Sequence, residues 1–336
     1  MSNQLFHAST GVLIKALNIG FLALTTIFLA RVLEPSEFGR YSFAFSVATV
    51  LAFLLKAGLP NLLMREISVY VSKGDWRHVN GVTQFGLVAH ILIAITAGAV
   101  AVFFFHVTYK SSDVYSLEAF IGAIALGFMM SWGVLIGGVL RGLGKIHQGQ
   151  YPDFLIRPGV FLLLVVTFAI VAGSPTSEKV IALHILSASL AISYAVFLLS
   201  RLLNERQTSA KHDSPRWMKS IPPLALLSGA GLVLSQSDIM MLAYFGSSSE
   251  VGQYRVVVQV ANLAIFSFGA IDAVFAPKMA RLYEESSIRE LQALMKKIGL
   301  LIFFISLPFL LLLLAFPEQL LWMVFGNSYK IAALSL

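Results

Sequence analysis

The chain has 336 residues, of which 57% are hydrophobic and only 12% are charged, about half the charged fraction of an average soluble domain. Its formal net charge is +7 and it has no cysteine. This composition excludes an ordinary soluble domain, and the lack of cysteine excludes disulfide scaffolds, cysteine-ligated metal sites and thiol nucleophiles.

Nine apolar segments are each long enough to cross a bilayer, which takes about 20 residues. Because backbone groups find no water in hydrocarbon, such segments must be helices rather than the alternating strands of a barrel. The segments lie near 11–33, 41–64, 82–106, 119–140, 156–173, 180–200, 222–245, 255–276 and 298–316, and a tenth begins near Ile331. The sequence predicts an all-α polytopic membrane protein.

Lysine and arginine concentrate in the loops that follow every second span. These loops hold most of the basic residues, including Arg65, Arg141, Arg157 and Lys211, whereas the alternate loops are sparsely basic. The positive-inside rule therefore predicts that the basic loops and the N-terminus are cytoplasmic. The net charge is largely a topology signal, and we expect no nucleic-acid partner.

One short sequence motif, here called the repeated phrase, occurs twice in the chain. "LEPSEFGRY" at 33–41 and "GSSSEVGQY" at 246–254 share Glu-x-Gly-x-Tyr at an offset of 213 positions, and further identities continue at the same offset without a gap. Six spans separate equivalent points, so both copies must have the same orientation in the membrane. The sequence predicts a parallel internal repeat about an axis along the membrane normal.

This repeat predicts the domain organisation. We expect a first lobe of six helices at 1–200, a cytoplasmic linker at 201–221, and the start of a second lobe at 222–336, with helices 7 to 9 and the beginning of helix 10. Doubling the repeat unit predicts more than the 336 residues present, so we expect the second lobe to be truncated.

The repeated phrase itself fits a structural role. Gly39 is expected to adopt the positive φ of a tight turn. Glu37 is expected to cap the following helix, and Tyr41 to lie at the membrane interface. The same holds for their counterparts in the second phrase.

The segments around the repeated phrase resemble a known family. "SDIMMLAYFGSSSEVGQYRVVVQV", "ARVLEPSEFGRYSFAFSV" and "FPEQLLWMVFGNSYKIAALSL" are similar to the polysaccharide-biosynthesis flippases, the oligosaccharide-lipid branch of the multidrug/oligosaccharidyl-lipid/polysaccharide exporter superfamily. The resemblance implies two six-helix lobes around a central cavity that opens alternately to each side. The chain departs from the family by ending where helix 10 should begin.

The resemblance also implies an activity and a location. A member of this family moves a lipid-pyrophosphate-linked oligosaccharide to the periplasmic leaflet for O-antigen, capsule or exopolysaccharide synthesis. The expected location is the bacterial cytoplasmic (inner) membrane. The expected partners are membrane lipids and other membrane proteins of polysaccharide assembly.

Four charges within the spans break the repeat. Lys15, Lys56, Asp238 and Asp272 each face an uncharged residue at the 213 offset, and each costs about 3 kcal/mol near the bilayer centre unless it faces a cavity or a partner. Lys56 lies roughly 12 Å above Arg65, further than snorkelling comfortably reaches, and is expected to attract the substrate diphosphate. Lys15 either binds substrate or snorkels to the inner interface.

The other candidates have two interpretations each. Asp238 and Asp272 either hold a coupling proton or sodium ion or make structural hydrogen bonds and ion pairs. Arg141 and Lys145, in "GGVLRGLGK", either contact the pyrophosphate at the cytoplasmic mouth or belong to a helix end.

Single histidines also lie within two spans. His90 and His184 either sense pH or pack as neutral side chains, and packing is the more common role.

No hydrolytic or transferase site stands out, and no phosphate-cradling G-x-x-x-x-G-K-[ST] loop is present, so we expect neither an enzyme, nor a cofactor, nor direct ATP coupling. Two alternatives to the flippase remain. One is a cation-coupled multidrug exporter of the same superfamily, and the other is a membrane-embedded glycan polymerase or transferase. The basic bias of the cavity candidates favours an anionic substrate, and the short, sparsely acidic outer loops disfavour the enzyme.

Overall fold

A computed structural model describes residues 2–108, 117–204 and 208–335. Every regular element within these ranges is a helix, which confirms the predicted all-α class. The helices are α1 Ser2–Val32, α2 Pro35–Lys56, α3 Leu59–Ser72, α4 Trp76–Thr108, α5 Leu117–Gly142, α6 Arg157–Ala172, α7 Ser177–Asn204, α8 Ser214–Phe245, α9 Ser248–Glu284, α10 Ile288–Ala315 and α11 Pro317–Phe325. A π-helical turn, Pro152–Ile156, precedes α6, and a 3₁₀ segment, Asn327–Ser335, follows α11 and includes the predicted start of helix 10.

Seven stretches of the described chain are long and apolar enough to cross a membrane, and they correspond to seven of the nine predicted spans. They are Leu13–Val32, Pro35–Ser72, Trp76–Phe103, Leu117–Gly142, Pro152–Ala172, Ser177–Leu203 and Ile288–Ala315. The predicted spans at 222–245 and 255–276 fall within α8 and α9, parts of which lie outside the described side chains. The chain is a multi-pass membrane protein.

The helix boundaries repeat at the offset seen in the sequence. α1 ends at Val32 and α8 at Phe245, 213 positions later, and α2 and α9 begin at Pro35 and Ser248, again 213 positions apart. The start of α10 falls within one residue of the position expected from α4. The duplication therefore extends from the sequence to the limits of the helices.

The two copies differ in the middle of their second membrane helix. In the first copy the helix breaks between Lys56 and Leu59, where Ala57 and Gly58 have φ angles of 43° and 76°. The second copy is the continuous helix α9. Gly58 faces Ile271 at the repeat offset, and a β-branched residue cannot take this conformation without strain.

Neighbouring helices stabilise this break. His90 of α4 donates its Nδ1–H to the carbonyl oxygen of Leu55, at 3.0 Å, so a carbonyl at the end of α2 has a partner inside the apolar region. Gly58 lies so close to α8 that a Cβ would come within 2.7 Å of the Ala225 backbone nitrogen. The break is thus a packed feature of the fold.

The prediction of a tight turn at the repeated glycines is wrong. Gly39 and Gly252 both lie inside helices, and neither has a positive φ. Instead the two glycines allow the first turns of α2 and α9 to touch: a Cβ on Gly39 would overlap the Ser248 carbonyl and come within 2.9 Å of the Gly252 nitrogen. The phrase is repeated because each copy supplies one side of this contact.

The acidic and aromatic residues of the phrase have different contacts in the two copies. Glu250 caps its own helix, accepting hydrogen bonds from the backbone N–H and hydroxyl of Ser247, which lower the pKa of its carboxyl. Glu37 accepts the backbone N–H of Ser177, at the start of α7, at 2.6 Å. Tyr41 is buried among α2, α6 and α7, and its predicted depth at the membrane interface stays a prediction.

Two compact units divide the described chain after Gly252. The first has a core of buried leucine, isoleucine and valine side chains from α3, α4, α5 and α7, together with the fully buried Trp217 of α8. The second has a small core around Leu282, Leu294 and Ile298.

Substituting Gly39→Ala should destabilise the protein, because the added methyl overlaps the backbone of α9, and overpacking of this kind costs about 1–3 kcal/mol. The matched control is Gly98→Ala in α4, where a Cβ would meet nothing within 4 Å and alanine favours the helix. Thermal unfolding in detergent should show a lower midpoint for the first variant only. Equal midpoints for the two variants would contradict the close contact.

Candidate functional site

Lys56 is the last residue of α2, directly before the helix break and near the middle of the span Pro35–Ser72. Its side chain is partly buried. The carboxylate of Asp153 attracts its ammonium, and the guanidinium of Arg157 repels it. The lysine predicted to meet substrate therefore shares its surroundings with two charges from the chain before α6.

Asp153 and Arg157 form an ion pair that sequence reasoning missed. Asp153 lies in the π-helical turn and Arg157 in the first turn of α6, both within the span Pro152–Ala172. Asp153 Oδ1 accepts hydrogen bonds from Arg157 Nη2 at 2.8 Å and Nε at 3.1 Å. The side chains are only 22% and 12% exposed, so Arg157 is not the loop residue that the topology count suggested.

The arginine continues into a hydrogen-bonded chain across the lobe. Arg157 Nη1 lies 3.3 Å from His184 Nε2, and His184 Nδ1 lies 3.1 Å from the Tyr41 hydroxyl. Because arginine only donates, His184 Nε2 must accept and its proton must be on Nδ1. His184, also stacked on Phe161, is thus a neutral, packed histidine in this arrangement.

Arg141, near the end of α5, completes the group. Its Nε donates to the Gly137 carbonyl oxygen at 3.1 Å. The carboxylate of Asp153 attracts the Arg141 guanidinium, as it attracts the Lys56 ammonium. We call Lys56, Arg141, Asp153 and Arg157 the cation cluster. Asp153 is ion-paired with Arg157 and attracts Lys56 and Arg141 electrostatically. The cluster thus has three basic side chains and one carboxylate within apolar helices, and it suits an anion.

A small cleft opens beside the ion pair. Its walls are Asp153, Arg157 and apolar or small residues of α5 and α7, including Met129 and Ala188. Its solvent-accessible volume is about 10 Å³, which is about what one water molecule needs. The cleft suits a single water rather than a substrate.

Of the other predicted site residues, two are exposed, one is half-buried and one lies beyond what is described. Lys15 is exposed on α1, and Lys145 is exposed in the loop after α5. Asp238 is half-buried on α8, where its Oδ1 accepts the backbone N–H of Ile239 at 2.8 Å. The side chain of Asp272 lies outside the described residues.

One signal in the sequence pointed to the missed pair. Asp153 and Arg157 are four residues apart, the spacing that places two side chains on one face of a helix. The predicted span began at 156, which left Asp153 in the preceding loop, and Arg157 at its edge was counted among the bases of that loop. No local pattern indicated Tyr41 and His184, whose contact joins residues 143 positions apart.

Solved structures share this fold of membrane helices. An inward-facing multidrug resistance MATE family transporter of the MOP superfamily matches with a TM-score of 0.72 at 17% identity, covering 98% of this chain and 78% of the other. The MATE multidrug transporter DinF-BH, solved as a complex with a ligand, matches with a TM-score of 0.60 at 16% identity, covering 96% and 74%. At these identities the likeness shows the fold.

The sequence identifies the family to which the chain belongs. The profile of the polysaccharide biosynthesis protein family matches residues 8–283, and the chain belongs to this family. A search of curated proteins found no match.

Replacing Arg157 alone should strongly destabilise the first unit, because Asp153 would lose the arginine that donates to it inside the membrane; breaking such a pair costs about 3–5 kcal/mol. We expect Arg157→Ala to lower the midpoint of thermal unfolding in detergent, and Asp153→Ala with Arg157→Ala to recover part of the loss. The control is Arg201→Ala, which removes an exposed arginine that lies over the Phe197 ring. This change should lower the free energy of unfolding by about 1 kcal/mol or less. A double variant no more stable than Arg157→Ala would contradict the pairing.

Proposed function

We propose that the chain is a flippase that moves a lipid-pyrophosphate-linked oligosaccharide across the bacterial cytoplasmic membrane for cell-surface polysaccharide assembly. Family membership supports a role in polysaccharide biosynthesis, and the fold supports transport. The observation that carries the substrate class is the cation cluster, in which Asp153 is ion-paired with Arg157 and attracts Lys56 and Arg141 electrostatically.

The chemistry of the substrate explains why such a cluster is useful. A diphosphate is strongly disfavoured in hydrocarbon, so a transporter for it needs cations part-way across. Lys56 meets this need at the break of the first copy's second membrane helix, and the second copy has glycine at the equivalent position, Gly269. In the proposed orientation, with the cytoplasmic N-terminus that the basic loops favour, the lipid-linked substrate enters from the cytoplasmic side.

The second candidate function is multidrug export. Its support is the fold shared with MATE transporters that are themselves described as multidrug transporters. The surplus of positive charge around Lys56 opposes a cationic drug, because like charges at a binding site cost affinity. The cluster therefore favours the flippase over the exporter.

Substituting Lys56→Ala should abolish surface display of the glycan in the native host, since the diphosphate loses a cation within the membrane. Lys56→Arg should retain part of the display, because charge matters more here than donor geometry. The measurement is surface glycan by antibody or lectin labelling, with membrane insertion checked by fractionation.

The matched control is Lys73→Ala, which removes an exposed lysine at the end of α3 and should leave display unchanged. Normal display by Lys56→Ala at native expression would overturn the assignment. Loss of drug resistance with normal glycan display would favour the exporter instead.

A further inference from the structure

We propose that the segment joining the two predicted lobes is a strap that stays bound to the first lobe while the second lobe moves. Residues 208–220, here called the strap, comprise the irregular segment before α8 and the beginning of that helix. The inference goes beyond the proposed function, because it concerns which part of the chain moves rather than what is transported. It rests on the proposed function only in that transport requires the lobes to move.

The sequence of the strap by itself is typical of a free tether. "TSAKHDSPRWMKS" is polar and basic, and it contains a proline, a composition that favours a solvated and flexible linker. In such a linker the backbone groups bind water and the side chains are exposed. The contacts of the strap in the structure are of the opposite kind.

The irregular half of the strap is hydrogen-bonded to the start of α4. The Lys211 backbone N–H donates to the Arg77 carbonyl oxygen at 2.9 Å, and Asn80 Nδ2 donates to the Thr208 carbonyl oxygen at 3.1 Å. Gly81 lies so close to the strap that a Cβ would overlap the Lys211 carbonyl oxygen. A glycine on α4 thus leaves room for a second backbone at this place.

The helical half of the strap is anchored by Trp217, whose side chain is fully buried. Its ring packs against Phe85 with the centroids 5.3 Å apart, and its Nε1–H donates to the Tyr70 hydroxyl at 3.3 Å. A buried tryptophan removes a large apolar surface from water and keeps its polar edge in a hydrogen bond. Release of the strap would expose this ring and leave a cavity in the core of the first unit.

Polar contacts with α3 add to this anchor. Glu66 is a buried carboxylate of α3, and Arg216 of the strap lies 3.6 Å from its Oε2. Arg65 Nη2 donates both to Glu66 Oε1 at 2.8 Å and to the Ser220 hydroxyl at 3.1 Å. Because a buried carboxylate needs cations close to it, release of the strap would also deprive Glu66 of Arg216.

The strap belongs to the first compact unit, which runs from Met1 to Gly252. Its release would break backbone, aromatic and ionic contacts together, and each of these contacts is made with α3 or α4. We therefore expect the strap to remain on the first lobe during transport. Movement of the second-lobe helices then takes place beyond the strap.

Hydrogen exchange of the purified full chain tests whether the strap is bound. In the native protein the Lys211 amide should exchange at least about tenfold more slowly than in a free peptide of the strap sequence, because exchange requires release. Gly81→Ala should speed this exchange, since the added methyl overlaps the strap. The matched control is Gly98→Ala on the same helix, where a Cβ would meet nothing within 4 Å, and it should leave the exchange unchanged.

A Lys211 amide that exchanges as fast in the native protein as in the free peptide would overturn the inference. Equal exchange of the strap in Gly81→Ala and native protein would do the same. Trp217→Ala provides a second perturbation that should also speed the exchange, and its control is Trp322→Ala, which removes a tryptophan that is 52% exposed.

Cross-linking tests whether the strap stays bound during transport. The chain has no cysteine, so Asn80→Cys with Thr208→Cys introduces the only two thiols, at side chains that are in contact. A membrane-permeant bismaleimide should join them, and surface glycan in the native host should persist after cross-linking. Thr208→Cys alone, treated with the same reagent, is the control.

Loss of glycan display on cross-linking, with normal display by the untreated double variant, would show that the strap must open and would overturn the inference. Failure of the proposed function is distinguishable from this result. Normal glycan display after deletion of the gene would contradict the proposed function, whereas hydrogen exchange tests the strap independently of any substrate.

Discussion

A charge inside a bilayer must be compensated within the protein. In this chain Asp153 and Arg157 compensate each other as an ion pair, and a run of hydrogen bonds through the first lobe starts from this pair. The pair lies at the start of α6, and its arginine reaches α7 through His184 and α2 through Tyr41. Three membrane helices are thus joined by one run of hydrogen bonds. The positions of Lys56 and Arg141 matter chemically because this pair lies beside them.

The break in the second membrane helix follows from a related constraint. A helix that ends inside a membrane leaves carbonyl oxygens without partners, and hydrocarbon supplies none. In this fold His90 satisfies the carbonyl of Leu55, and Gly58 takes a conformation that disfavours other residues. Lys56 is therefore located at a place where the backbone is already irregular and neighbouring helices have adapted to it.

Residues repeated in both copies and residues present in one copy have different roles in this chain. Residues kept in both copies, such as Gly39 and Gly252, make the close contact between α2 and α9. Residues present in one copy, such as Lys56 and Gly58, lie at the break and beside the cation cluster. A duplicated scaffold needs equivalent contacts in each half, whereas a site built from one copy needs its charge once.

The sequence by itself determined the all-α membrane class, the spans, and the repeat at an offset of 213, because hydropathy and backbone hydrogen bonding in lipid are local requirements that a linear pattern records. It also singled out Lys56, since a charge deep in an apolar run is visible without a structure. Only the tertiary structure decided that Gly39 serves a helix contact rather than a turn, and that Tyr41 is buried against His184. Only the fold assigned Arg157 to an ion pair in the membrane. These outcomes depend on which faces of distant helices meet, and packing between residues far apart in the chain decides that.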